Sequence, residues 1–201
     1  MRETVVYAAR IPDGEMSDVL YPPERQSEID RLSNEKVKRE KYFVWKLLEH
    51  AISETVGEPI ENFAFERLPN RKWVSDRLCF SLSHADGVVA VALSDKSVGV
   101  DVESVRAHRE GLERSILTEK ELKELSLTET DFFWDYIIKR WTQKESIFKA
   151  QEQKCFEPTK IEASEHCVKT ETLELENERF MLSVCAHDAE AAKFIIYNFD
   201  K

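Results

Sequence analysis

Apolar and polar residues alternate along Val98-Gly99-Val100-Asp101-Val102-Glu103, and a period of two predicts a β-strand. Asp101 and Glu103 then leave one face, beside a glycine that leaves room above the backbone. Further along, Trp134, Ile138, Trp141 and Phe148 recur at steps of three and four, predicting a helix over about 131–151 with one buried stripe. Residues 4–9 read as a strand, closed by the breaker Pro12-Asp13-Gly14. One or two helices fill the chain to about residue 56, and a short strand surrounds Phe63 and Phe65. Strands follow at 78–84, 88–93 and 97–103, with turns at Ala85-Asp86-Gly87 and Asp95-Lys96. These predict an antiparallel meander whose first and third strands run the same way. His84 and Glu103 would then end at one edge, roughly 10 Å apart across the middle strand.

Thr118-Glu119-Lys120-Glu121 is a capping box that opens a short helix through Leu122 and Leu125. The tail alternates over 169–175, 179–186 and 193–199, with turns at Glu176-Asn177 and His187-Asp188. Each half of the chain thus reads as helices followed by a small antiparallel sheet, and the fold class is α+β. The boundary is expected between 1–97 and 98–201.

The 201 residues suffice for one larger domain or two small lobes. No apolar run is long enough to span a membrane, and the N-terminus has no cleavable leader pattern. Cys79, Cys155, Cys167 and Cys185 form no CxxC pair, so reduced thiols in a cytoplasmic protein are expected. A zinc site from Cys155, Cys167, Cys185 and His187 matches no common spacing. A net charge of −10 argues against general nucleic-acid binding. Against that background Lys36, Lys38, Arg39 and Lys41 cluster at the start of a helix, either a solvated face or a phosphate dock.

The acids carry the candidate chemistry. Glu145 falls inside the predicted apolar stripe, where a carboxylate needs a partner and neighbouring acids raise its pKa unless a cation is present. A hard divalent ion held by carboxylates meets that need, and magnesium keeps room for phosphate oxygens as well.

Three motifs resemble the 4′-phosphopantetheinyl transferases, in the surfactin-type form with two similar halves in one chain. Phe80-Ser81-Leu82-Ser83-His84 is similar to the family's F-N-x-S-H, and Val98 to Glu103 to its V-G-x-D-x-E. Trp141-Thr142-Gln143-Lys144-Glu145-Ser146-Ile147-Phe148-Lys149 is similar to W-[ST]-x-K-E-[AS]-x-x-K. The resemblance implies transfer of 4′-phosphopantetheine from coenzyme A to a serine of an apo acyl or peptidyl carrier protein, with Mg²⁺ as cofactor. The family belongs to fatty-acid, polyketide and non-ribosomal peptide biosynthesis, and a monomer is expected. By resemblance Asp101, Glu103 and Glu145 hold the metal, while Ser83 and His84 contact phosphates of coenzyme A. Lys149 approaches the pyrophosphate, Arg39 takes the nucleotide end, and either Arg71 or Lys72 supplies a further cation. Arg106, Arg109 and Arg114 are the candidate docking residues for the carrier. Ser81 in place of the usual asparagine and Ala85 after the histidine depart from the pattern without removing a metal ligand.

Glu145 or a metal-bound water would take the serine proton, with Lys149 stabilising the leaving oxygen. Two other readings use the same residues: a non-catalytic module binding coenzyme A or carrier proteins, and a magnesium-dependent phosphodiesterase. Ser83 beside His84 makes no hydrolase nucleophile, because strand neighbours point to opposite faces and no G-x-S-x-G occurs.

Overall fold

Helices cover the outer faces of two stacked sheets, giving four layers, and the layering follows from which strand faces are apolar. The computed structural model describes residues 3–69, 71–151 and 155–199. Strands β1 (Val5–Arg10), β4 (Cys79–Ala85), β5 (Val88–Ser94) and β9 (Lys193–Tyr197) form one sheet in the order β4-β5-β1-β9. Strands β6 (Gly99–Ser104), β7 (Val168–Leu175) and β8 (Glu178–Cys185) form a second, in the order β6-β8-β7. A hairpin of β2 (Phe65–Arg67) and β3 (Trp73–Ser75) stands apart. The mixed architecture is α+β, as the pattern predicts.

Helices α1 (Pro23–Asp30) and α2 (Glu35–Val56) cover the outer face of the first sheet. There Trp45, Leu48 and Ile52 pack with Tyr7, Val89 and Val91. The opposite side chains of the same strands, Val6, Ala8, Val88, Ala90 and Ala92, meet Val100, Val102, Leu182 and Val184 of the second sheet. Several of these are alanines, which keeps the two sheets close. Short helices α3 (Glu113–Ile116) and α4 (Glu119–Leu125) follow β6, and α5 (Phe133–Gln151) lies on the outer face of the second sheet. The capping box forms as predicted: Glu121 N–H donates to Thr118 Oγ1, and Thr118 N–H donates to the Glu121 carboxylate.

The predicted turns at Asp86-Gly87 and Glu176-Asn177 form, each with two successive positive φ angles, as tight hairpins require. The meander does not. β6 pairs antiparallel with β8 in the other sheet and leaves β5 unpaired to it. Its valines seal the core between the sheets while Gly99, Asp101 and Glu103 turn outward, so staying beside β5 would have cost that second buried face. β9 likewise leaves the tail sheet and pairs in parallel with β1. The sequence pattern shows where these strands lie but not which edge they join.

Candidate active site

Two serines join the sheets where hydrogen-bonded pairing stops. Val100 N–H donates to Ser81 Oγ at 3.0 Å, and Val102 N–H donates to Ser83 Oγ at 3.3 Å. The edge strands β4 and β6 therefore run side by side in the same direction. His84 and Glu103 reach one edge, as predicted, but as ends of direct neighbours, not of strands separated by β5.

Gly99 sets the next contact. A Cβ there would fall 1.9 Å from the carbonyl oxygen of Ser146 and 2.6 Å from Ala150 N. The room above the glycine is thus filled by the backbone of α5. This approach lets Lys149 donate to Asp101 Oδ1 at 2.8 Å, to Val100 O at 3.1 Å and to Ser83 Oγ at 3.3 Å. Ser83 Oγ donates to the same Asp101 oxygen at 2.8 Å. The other oxygen, Asp101 Oδ2, is buried with no partner among the described residues. Trp141, expected only to pack, also donates its indole N–H towards Glu103 Oε1 at 3.4 Å.

The stripe predicted for α5 is not its deepest face. Trp134, Trp141 and Phe148 are half-buried at its sides, while Thr142, Lys144, Ser146 and Ile147 are fully enclosed. The sheet beneath carries hydroxyls and acids, so the helix meets it with short polar groups: Thr142 and Thr170 both hydrogen-bond Ser183 Oγ at 2.8 Å. Glu145 sits half-buried beside this face with no hydrogen bond or ion pair among the described residues. Lys144 donates to the carbonyls of Ile116 and Pro158 and pairs with buried Glu121, pinning α5 to the segments around it.

The electrostatics are those of acids short of cations. Burial and then the Asp101 charge push Glu103 up to about 7, against the Trp141 hydrogen bond and Lys149. The same two causes raise Glu145, with Lys149 opposing. Asp101 is thus within electrostatic reach of both glutamates. Among the described residues, no three His, Cys, Asp or Glu side chains converge closely enough to hold a metal ion as they stand. Lys149 is instead the cation that Asp101 holds. The donor set still fits a hard divalent ion: three carboxylates, two with raised pKa values, and an orphaned buried oxygen.

The remaining predicted residues divide. His84 directs Nδ1 to Glu40 Oε2 at 3.1 Å, and burial lowers its pKa against the Glu40 charge. Lys72 reaches across to the backbone carbonyl of Lys149 at 3.4 Å, whereas Arg71 is exposed at the hairpin turn with a positive φ. Arg39 donates to the carbonyls of Pro12 and Gly14 and lies over the Phe43 ring, away from the Asp101 cluster. With Arg10, Lys36 and Glu40 it lines a cavity of about 580 Å³. The rest of the basic cluster is also committed: Lys36 to Asp86, Lys38 to Glu35 and Lys41 to Glu28. Sequence reasoning missed Glu40, for which an acid among apolar helix positions was the available signal, and Glu28, for which there was none.

Residues 97–196 match the family model of the 4′-phosphopantetheinyl transferase superfamily. The superfamily domain includes Asp101, Glu103, Glu145 and Lys149, while Ser83 and His84 reach the same site from before it. No curated protein matches the chain. A phosphopantetheinyl transferase domain implies coenzyme A as substrate, a carrier protein as acceptor and, typically, a divalent metal.

Proposed function

We propose that the protein is a holo-[carrier-protein] synthase of the two-halves form, moving 4′-phosphopantetheine from coenzyme A to a serine of an apo carrier protein. In this reading residues 1–97 and 98–201 are the two halves, and the site lies between them. The observation that carries it is the meeting of Asp101, Ser83 and Lys149 from three elements, inside and beside a superfamily domain.

Asp101, Glu103 and Glu145 would hold Mg²⁺, which when bound neutralises charge on pyrophosphate oxygens. The residues of the chain divide the remaining work. Lys149 would exchange Asp101 for the substrate: its Nζ can then pair with the bridging oxygen and stabilise the adenosine 3′,5′-bisphosphate leaving group. Ser83 Oγ and Lys72 Nζ present donors along the same edge. Arg39 serves the nucleotide end from the neighbouring cavity, once it exchanges loop carbonyls for phosphate. Glu145, without a hydrogen-bond partner among the described residues, is assigned by this reading as the group that accepts the serine proton. Arg109 and Arg114 are exposed, with Arg114 3.9 Å from Glu113, and Arg106 pairs with Asp86; this reading takes them as the positive charge offered to an acidic carrier.

Mass spectrometry of an apo carrier protein incubated with protein, coenzyme A and Mg²⁺ tests the proposal. Gain of phosphopantetheine on the carrier serine is the expected result. An unmodified carrier with cleaved coenzyme A would instead mark a phosphodiesterase, and no change at all a binding module. Reversing the charges of Arg106, Arg109 and Arg114 should raise KM for the carrier and leave KM for coenzyme A alone.

A further inference from the structure

Glu40 belongs to none of the three motifs, and the reaction as written above does not use it. It lies on α2 with 8 % of its side chain exposed, and its Oε2 stands 3.1 Å from His84 Nδ1. That is its one polar contact among the described residues. A buried carboxylate needs a hydrogen-bond partner, and the imidazole supplies it. His84 Nε2, by contrast, makes no bond among the described residues.

We propose that Glu40 is a positioning residue that accepts the His84 Nδ1 proton, fixes the ring, and leaves Nε2 as the donor to a phosphate oxygen. A histidine with Nδ1–H committed to a carboxylate can gain its second proton only at Nε2, taken from water as the anion binds. The imidazolium then donates Nε2–H to the anion and Nδ1–H to Glu40, so both protons are used. The charged groups bearing on the ring come from three elements: Glu40 and Lys41 on α2, Arg25 on α1 and Lys149 on α5. Three of the four are cations that oppose protonation, so Glu40 alone favours the donor form. The inference rests on the reading of the site as one that binds coenzyme A phosphates. It goes beyond that reading in giving the histidine a fixed tautomer and a dedicated partner.

Two measurements on the full-length protein test it separately from the activity. Long-range ¹H–¹⁵N spectra of the wild type should show His84 protonated at Nδ1 when neutral, and Glu40→Ala should give mixed tautomers. In steady-state kinetics Glu40→Ala should raise KM for coenzyme A by roughly tenfold, the scale of one charge-assisted hydrogen bond, with KM for carrier unchanged. Glu40→Gln, which keeps an acceptor without the charge, should recover part of that loss. A wild-type ring protonated at Nε2 would overturn the proposal, as would equal changes in both KM values. If Glu40→Ala does not fold, the wild-type spectrum and Glu40→Gln still decide. If the wild type transfers nothing, the functional reading fails while the tautomer measurement stands.

Discussion

Glu28 and Glu103 are both glutamates drawn partly out of water, and their surroundings treat them in opposite ways. Burial alone would raise both. Around Glu28, Lys41 at 2.6 Å, Arg25 at 2.8 Å, Arg67 at 3.2 Å and the Trp73 indole N–H at 3.1 Å overcome that cost and hold its pKa near 2. Around Glu103 the charges of Asp101 and, more weakly, Asp86 outweigh Lys149 and the Trp141 indole, and with burial its pKa rises to about 7. The first arrangement ties α1, α2 and the β2–β3 hairpin together and is complete. The second stores unfavourable charge that a bound cation would relieve. A carboxylate fully answered by the chain is structural; one left short is where a ligand is expected.

The largest effect should come from breaking the complete side. Glu28→Gln removes the anion that neutralises three cations, and stability in urea titration should fall by about 4 kcal/mol. A loss below about 1 kcal/mol would mean the cluster is solvated and the contrast with Glu103 is false.

Next in size is the contact that builds the incomplete side. Gly99→Ala places a methyl 1.9 Å from a backbone oxygen of α5, so helix or strand must shift. The expected cost is about 3 kcal/mol, together with loss of the Lys149–Asp101 contact. Thermal unfolding of this variant beside Gly14→Ala, where nothing lies within 4 Å, isolates the clash from glycine effects in general.

These two positions also show how far the sequence could be read. The strand at Val100, the helix around Glu145, the capping box and both tight turns were legible because each depends on neighbours in the chain. Gly99 was legible as a place needing room, but not what fills it, since α5 arrives from more than forty residues away. The departure of β6 to the second sheet was hidden because alternation gives two faces and no partner. The three acids were legible as a group only through their motifs, and Lys149 standing against Asp101 depends on side-chain geometry alone. Glu28 was invisible because its cations come from α1, α2 and the hairpin.

A third test sets activity against stability. Asp101→Asn should lower transfer to carrier by roughly a hundredfold, the scale of one charge-stabilising group. Its stability should change little, because loss of the Lys149 pair is offset by relief of Glu103 and Glu145. Mass spectrometry of the carrier and a thermal melt on the same sample read both. Equal losses in the two would make Asp101 a structural residue like Glu28.

The smallest effect is the most discriminating, because the two glutamates predict opposite slopes of stability against pH. Glu28 has a folded pKa of about 2 against an ordinary 4.5, so its contribution is full above 4.5 and is lost as pH falls towards 2. Glu103 has a folded pKa of about 7 against 4.5, so the folded chain favours its protonated form. Its contribution is full below 4.5 and is lost as pH rises through 7. Glu103→Gln should therefore flatten the upper slope, worth about 2 kcal/mol after discounting for solvent, and leave the acid limb untouched. Excess Mg²⁺ at pH 8 should restore stability to the wild type by binding the folded state, more strongly than at pH 5, where Glu103 holds a proton. The Gln variant should respond less, having lost one ligand. A Mg²⁺ response of equal size at both pH values would separate the metal from these carboxylates and remove the contrast on which the site assignment rests.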